Sequence, residues 1–293
     1  MPEEKQWEGT TFGNSLMHRW LISVLRWTDV RFIYLFAYVF VIPFCVLFSP
    51  GFRHSYRYFR KHQGATSIGA FLLGYKNHCL FAEAVIDKFA MYAGKTFTIN
   101  IEGYEHFLKL AHQPKAFIQM SSHVGNYEIA GYSLTADSKR FNALVYGGEK
   151  ASVMTNRNKM FEGTNIRMIP IGNDMTHLFM MEQALQNGEI LSMPADRILG
   201  SQKSIAVNFL GEKANFPLGP FSVATMHGLD VLSVHVMKTS WTGYTIYVTP
   251  LSYPREASRR EQINHLASAY VQELERMVHR YPTQWYNYFD FWK

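Results

Sequence analysis

From Thr96 onward, apolar residues alternate between two periods, and that alternation limits the fold more than any other feature. TFTINIEG (96–103) reads as a strand ending in a turn, and EHFLKLAH (105–112) as a short helix. KAFIQMS (115–121) is a strand, NYEIAGYSLTA (126–136) a helix and NALVYG (142–147) a strand. IRMIPIG (166–172) is a strand, followed by the helix THLFMMEQALQNG (176–188), where Gly188 stands at the position of a terminating glycine. EILSMPAD (189–196) closes the series as a strand. Strands separated by helices of this length need parallel crossovers. LDVLSVHVMK (229–238) and YTIYVTPLS (244–252), joined through Trp241-Thr242-Gly243, predict one antiparallel hairpin. The stretch 256–280 carries a full apolar stripe, including Leu266, Tyr270, Leu274 and Met277, and is stopped by Pro282. The fold class expected is α/β: a mixed, mostly parallel sheet flanked by helices.

The first third reads differently. FIYLFAYVFVIPFCVLF (32–48) contains no charge over seventeen residues. As a helix it reaches about 25 Å, against a hydrocarbon core of about 30 Å. Pro43 kinks it. Lys5, Arg19, Arg26 and Arg31 precede it, and Arg53, Arg57, Arg60 and Lys61 follow it. This symmetry gives no orientation by the positive-inside rule, and it suits a true span, a dip into one leaflet or an in-plane anchor. HRWLISVLRW (18–27), with Trp20 and Trp27, suits the interface. The alternative is a buried core helix. Residues 1–49 are expected to form a lead-in with a hydrophobic membrane-anchoring helix, and 50–293 a catalytic domain. Within the latter, 65–93 reads as one or two helices. The acidic start (Glu3, Glu4) lacks the pattern of a signal peptide.

The chain has 293 residues, of which 47% are hydrophobic and 15% aromatic, which excludes disorder. A net charge of +6 suits an anionic membrane or an acidic carrier. No nucleic-acid motif is present, so no nucleic-acid partner is expected. Two cysteines, Cys45 and Cys79, imply no disulfide framework, and no metal-ligand spacing appears.

Ligands of open α/β sheets gather at the carboxyl ends of the strands. There the sequence places His123 after KAFIQMS, Tyr146-Gly147-Gly148 after NALVYG, and Asp196-Arg197 after EILSMPAD. His123 and Glu128 are five residues apart, about 140° around a helix. They meet only if His123 lies on a turn and Glu128 in the first turn of the next helix. Gly125 and Asn126 supply that turn, with Asn126 as N-cap. Glu128 is then the carboxylate that orients a basic imidazole, and amides near Gly125 and Asn126 face an oxyanion or phosphate. Ser121 and Ser122 lack a G-x-S-x-G elbow and are read as local hydrogen-bonding residues. Asn156-Arg157-Asn158-Lys159 reads as an anion site or a solvated loop, and Arg197 as a headgroup ligand or one half of an ion pair. FLGEKANFPLGP (209–220) reads as a loop over the pocket, and His227 and His235 as structural.

Together these residues resemble the bacterial lipid A biosynthesis (late) acyltransferase family, within the lysophospholipid acyltransferase superfamily. The resemblance is carried by the H-x4-E box in SSHVGNYEIAG, by MPADRILG and by NFLGEKANFPLGP. The opening WEGTTFGNSLMHRWL and the closing YPTQWYNYFDFW add to it. It implies transfer of a fatty acyl chain from an acyl carrier protein or coenzyme A thioester to a hydroxyl of a lipid or glycolipid, such as a lipid A precursor. His123 is then the base and Glu128 its orienting acid, with Gly125, Asn126, Arg157, Asp196 and Arg197 as substrate-binding residues and no cofactor or metal. It also implies residence at the bacterial inner membrane, with the catalytic domain facing the cytoplasm. The residues alone leave open a lipid hydrolase using the same dyad, or a non-catalytic lipid-binding membrane protein.

Overall fold

The computed structural model of the chain describes residues 14–129, 133–136, 138–148, 151–172, 174–198 and 203–292. The chain divides into two compact units. The first comprises residues through Thr96, Tyr146–Thr164 and Tyr286–Asp290; the second comprises Phe97–Val145, Asn165–Trp285 and Phe291–Lys293.

The first unit is helical. Helix α1 (Ser15–Trp27) is capped by Asn14, whose side chain accepts from the Met17 amide. Helices α2 (Val30–Phe36) and α3 (Ile42–Phe48) are joined by a π-helical turn, Ala37–Val41. Pro43 explains that turn, because it has no N–H to continue the helical ladder. Helix α4 (Pro50–Lys61) starts at the Ser49 cap, and α5 (Ser67–Tyr92) at the Thr66 cap. The 65–93 stretch is therefore one helix of 26 residues. Phe52 of α4 packs edge-on against Phe71 of α5, and Ser55 Oγ donates to Asn77 Oδ1 over 3.2 Å. The hydroxyls of Tyr34 and Tyr38 donate to Asp87 and Glu83 of α5. Helix α7 (Ala151–Phe161) also belongs to this unit. Of the two readings of Asn156 to Lys159, an anion site or a solvated loop, the helix rules out the loop.

The second unit is built on a seven-stranded sheet among the described residues. Its strands are β1 (Thr98–Glu102), β2 (Phe117–Ser121), β3 (Phe141–Tyr146), β4 (Ile166–Ile171), β5 (Ile190–Pro194), β8 (Asp230–Ser240) and β9 (Gly243–Leu251), in the order β1-β9-β8-β2-β5-β3-β4. Strand β2 pairs in parallel with β5 and β8, β3 with β5, and β1 with β9, while β8 and β9 form the antiparallel hairpin expected from the sequence. The sheet is mixed and mostly parallel, as the alternation of periods implied. Strand β2 is buried at every position, as a central parallel strand covered on both faces must be. Helix α6 (Tyr104–Ala111) sets Phe107 edge-on to Phe117. Helix α8 (Thr176–Gln186) ends at Gly188 with φ +72°, and a Cβ there would come within 2.2 Å of the Pro114 carbonyl oxygen.

One expectation is corrected here. Residues 209–220 are not a free loop. They form most of the hairpin β6 (Ser204–Phe209) and β7 (Glu212–Pro217), followed by the start of helix α9 (Leu218–Met226). Helix α10 (Arg259–Arg280) has a complete capping box between Ser258 and Glu261 and buries the predicted stripe.

Candidate active site

Strands β2 and β5 run side by side in register, Ser121 opposite Pro194, and the Ala195 amide donates to the Ser121 carbonyl over 3.0 Å. Two residues beyond each strand end stand His123 and Asp196. The Asp196 carboxylate clasps the histidine twice. Oδ2 accepts from the His123 amide at 2.8 Å, and Oδ1 lies 2.8 Å from the ring Nδ1. A carboxylate accepts, so Nδ1 carries the proton and Nε2 holds the lone pair. Asp196 is fully enclosed, whereas the imidazole is 19% exposed. The acid thus lies behind the ring.

Electrostatics favour a neutral imidazole beside an ionised acid. Burial lowers the His123 pKa below the ordinary imidazole value, and the nearby Arg197 charge lowers it further. Asp196 and Glu128 pull in the opposite direction without reversing the shift. For Asp196, burial acts to raise the pKa, but His123, Arg197 and the His123 amide together hold it below the usual carboxylate value. This is the charge state required of a general base.

The turn after His123 is fixed by Gly125, with φ +70°. A Cβ there would sit 1.9 Å from the Val236 carbonyl oxygen, so only glycine fits. Its amide donates to the Gln284 carbonyl at 2.8 Å, and the Asn126 amide donates to the Val236 carbonyl at 2.8 Å. Both N–H groups are spent inside the fold, which corrects the expectation that they face an oxyanion. The Asn126 amide nitrogen Nδ2 donates to the Tyr244 hydroxyl at 3.3 Å. A 3₁₀ turn, Tyr127–Ile129, follows and sets the Tyr127 ring edge-on to His123. Of the helix expected over 126–136, residues 130–132 lie outside the described residues.

The residues before His123 are held from behind. The Tyr270 hydroxyl of α10 donates to the Ser121 carbonyl at 2.9 Å. Ser122 Oγ lies 2.9 Å from Nδ1 of His235, and Nε2 of that ring lies 2.9 Å from Ser233 Oγ. All three side chains are buried. Burial pushes the His235 pKa down to about 4, although Glu273 and Asp196 oppose the shift. The ring is therefore neutral at pH 7: one serine accepts from it and the other donates to it.

His123, Gly125, Asn126, Glu128, Asp196 and Arg197 all belong to the second unit. Asp196, expected to hold substrate, instead takes the ring nitrogen that the sequence assigned to Glu128. Glu128 acts on the ring through its charge. Arg157 lies in the first unit on α7, largely buried, with Nη1 3.8 Å from Met154 Sδ. The Ser122–His235–Ser233 chain was not anticipated, because nothing in the sequence pairs residues 113 positions apart. Among the described residues, no group of three or more His, Cys, Asp or Glu side chains is arranged to hold a metal ion.

Residues 81–293 match the model of the family described as bacterial lipid A biosynthesis acyltransferase. No curated protein sequence matches the chain. Among solved structures, the 1-acyl-sn-glycerophosphate (LPA) acyltransferase PlsC from Thermotoga maritima is similar, with 16% identity and a TM-score of 0.40. That match covers 93% of this chain and 99% of the other.

Proposed function

Since the chain belongs to the bacterial lipid A biosynthesis acyltransferase family, and is thus an enzyme that transfers acyl groups, we propose that it moves a fatty acyl chain from a thioester to a hydroxyl of a membrane glycolipid. The donor is acyl carrier protein or coenzyme A, the acceptor is a lipid A precursor, and the location is the bacterial inner membrane with the catalytic face toward the cytoplasm. The observation that carries the reading is the His123–Asp196 pair, with Nε2 bearing its lone pair at the carboxyl end of β2 and β5.

Nε2 of His123 removes the proton of the acceptor hydroxyl as its oxygen attacks the thioester carbonyl carbon. The new C–O bond forms and the carbonyl electrons move onto oxygen. With the Gly125 and Asn126 amides engaged elsewhere, Arg197 supplies the positive charge that offsets this oxyanion. Collapse restores the carbonyl, breaks the C–S bond and expels the thiolate, which takes the proton back from Nε2. Asp196 keeps Nδ1 protonated throughout and stabilises the imidazolium, while Glu128 adds a second, more distant negative charge. Gly125 and Asn126 serve substrate binding by shaping the turn.

The test is mass spectrometry of the lipids of cells with and without the intact gene. A glycolipid lacking one acyl chain in the deleted cells is the expected result. An unchanged glycolipid profile excludes a lipid A precursor as acceptor.

A further inference from the structure

We propose that His235 is a positioning residue for the base: through Ser122 it holds the turn that aims Nε2 of His123. The proposal rests on the reading of His123 as general base given above. Strands β2 and β8 run in parallel register up to Met120 and Ser233, and the pairing resumes as a single bridge between Gly125 and Val236. Between these two points four residues, Ser121 to Val124, stand opposite two, Val234 and His235. The chain around His123 therefore leaves the β2–β8 ladder, and regular pairing with β8 does not hold it. Side chains have to do so.

His235 stands in a strand that is otherwise apolar at this depth. Val231, Leu232, Val234, Val236 and Met237 are all buried beside it. A fully buried imidazole in such a strand costs free energy unless both nitrogens are paired. Nδ1 is paired with Ser122 Oγ, and Nε2 with Ser233 Oγ, two residues away on the same face of the strand. Ser122 Oγ also accepts from the Val124 amide at 3.4 Å, which leaves its proton for Nδ1. Nε2 then carries the ring proton and donates to Ser233. The Ser122 hydroxyl thus links the residues on either side of His123 and is itself anchored to β8.

Strands β5 and β8 flank β2 on opposite sides. Asp196 ties His123 to the β5 side. The amides of Gly125 and Asn126 tie the far end of the turn to Gln284 and Val236. His235 supplies the tie to β8 at the near end. A general base must be held to within about 0.5 Å of its productive position, and a displacement of about 1 Å costs roughly 10²-fold in rate. Loss of the Ser122–His235 contact therefore acts on the chemical step, while substrate binding is left alone.

The test is steady-state acyl transfer by full-length protein. The donor is the fatty acyl thioester, of coenzyme A or of acyl carrier protein, that supports wild-type turnover, and the acceptor is total bacterial membrane lipid. Rates are expressed per folded molecule, with folding read by circular dichroism and thermal unfolding. Ser122→Ala and His235→Leu should each lower kcat roughly ten- to a hundredfold with KM unchanged. The double variant should be no slower than the slower single one, because both remove the same contact. His235→Asn keeps an acceptor where Nδ1 stood and should recover most of the rate. Should His235→Leu fail to fold, Ser122→Ala, which deletes one hydroxyl, and His235→Asn carry the test. Full turnover by Ser122→Ala, losses that multiply in the double variant, or His235→Asn no faster than His235→Leu overturns the positioning role. His123→Ala separates this from the base itself. Wild-type turnover by His123→Ala removes the general-base reading, whereas its loss alongside full turnover by Ser122→Ala and His235→Leu overturns the positioning role alone.

Discussion

Asp196 holds both the amide and the Nδ1 of His123, each at 2.8 Å, from the end of the neighbouring parallel strand. One carboxylate thus sets the backbone position, the ring orientation and the tautomer of the base. Replacement by asparagine keeps the volume but removes the charge and the certainty of an acceptor at Nδ1. Asp196→Asn should lower kcat by roughly 10²- to 10⁴-fold with a much smaller change in KM, read by steady-state kinetics with acyl thioester and lipid acceptor.

Arg197 and Glu128 push the His123 pKa in opposite directions. The base acts when neutral, so activity falls as pH drops through that pKa. In the wild type this acid limb lies below the ordinary imidazole value. Arg197→Gln removes a charge that disfavours the imidazolium, so the limb moves to higher pH. Glu128→Gln removes one that favours it, so the limb moves to lower pH. Both movements are read from kcat/KM profiles. Movement in the same direction contradicts the assignment.

Burial lowers the pKa of His235 from the ordinary imidazole value to about 4. The unfolded chain therefore binds the extra proton first as pH falls. The stability that neutral His235 contributes is fully present above pH 6.5, and it is lost as pH falls from there toward 4. The linked change is roughly 3 kcal/mol. Denaturant unfolding of wild type and His235→Gln across that range should give a shallower acid loss in the variant. Parallel curves contradict a neutral, buried His235.

Much of the fold was legible where one period persists. The β8–β9 hairpin shows apolar residues on both sides of Trp241-Thr242-Gly243, and α10 shows an uninterrupted stripe. The β6–β7 hairpin was hidden for a physical reason. Its two-residue turn is Leu210-Gly211, with φ of 51° and 85°, and a leucine in the left-handed region carries no turn signal. Helix α7 was hidden because ASVMTNRNKMF lacks an apolar stripe. At the site, His123 could be read from its position after β2. Its partner could not, because Asp196 is 73 residues away. Only the pairing of β2 with β5, strands not consecutive in the chain, brings the two together.

The most direct test of His123 as the base is single-turnover acyl transfer by wild type and His123→Ala, using an acyl thioester and purified membrane lipid acceptor. The expected result is loss of at least about 10²-fold in the rate of the chemical step, with the variant as stable to heat as the wild type. Wild-type turnover by the folded variant would show that the proton is taken by another group.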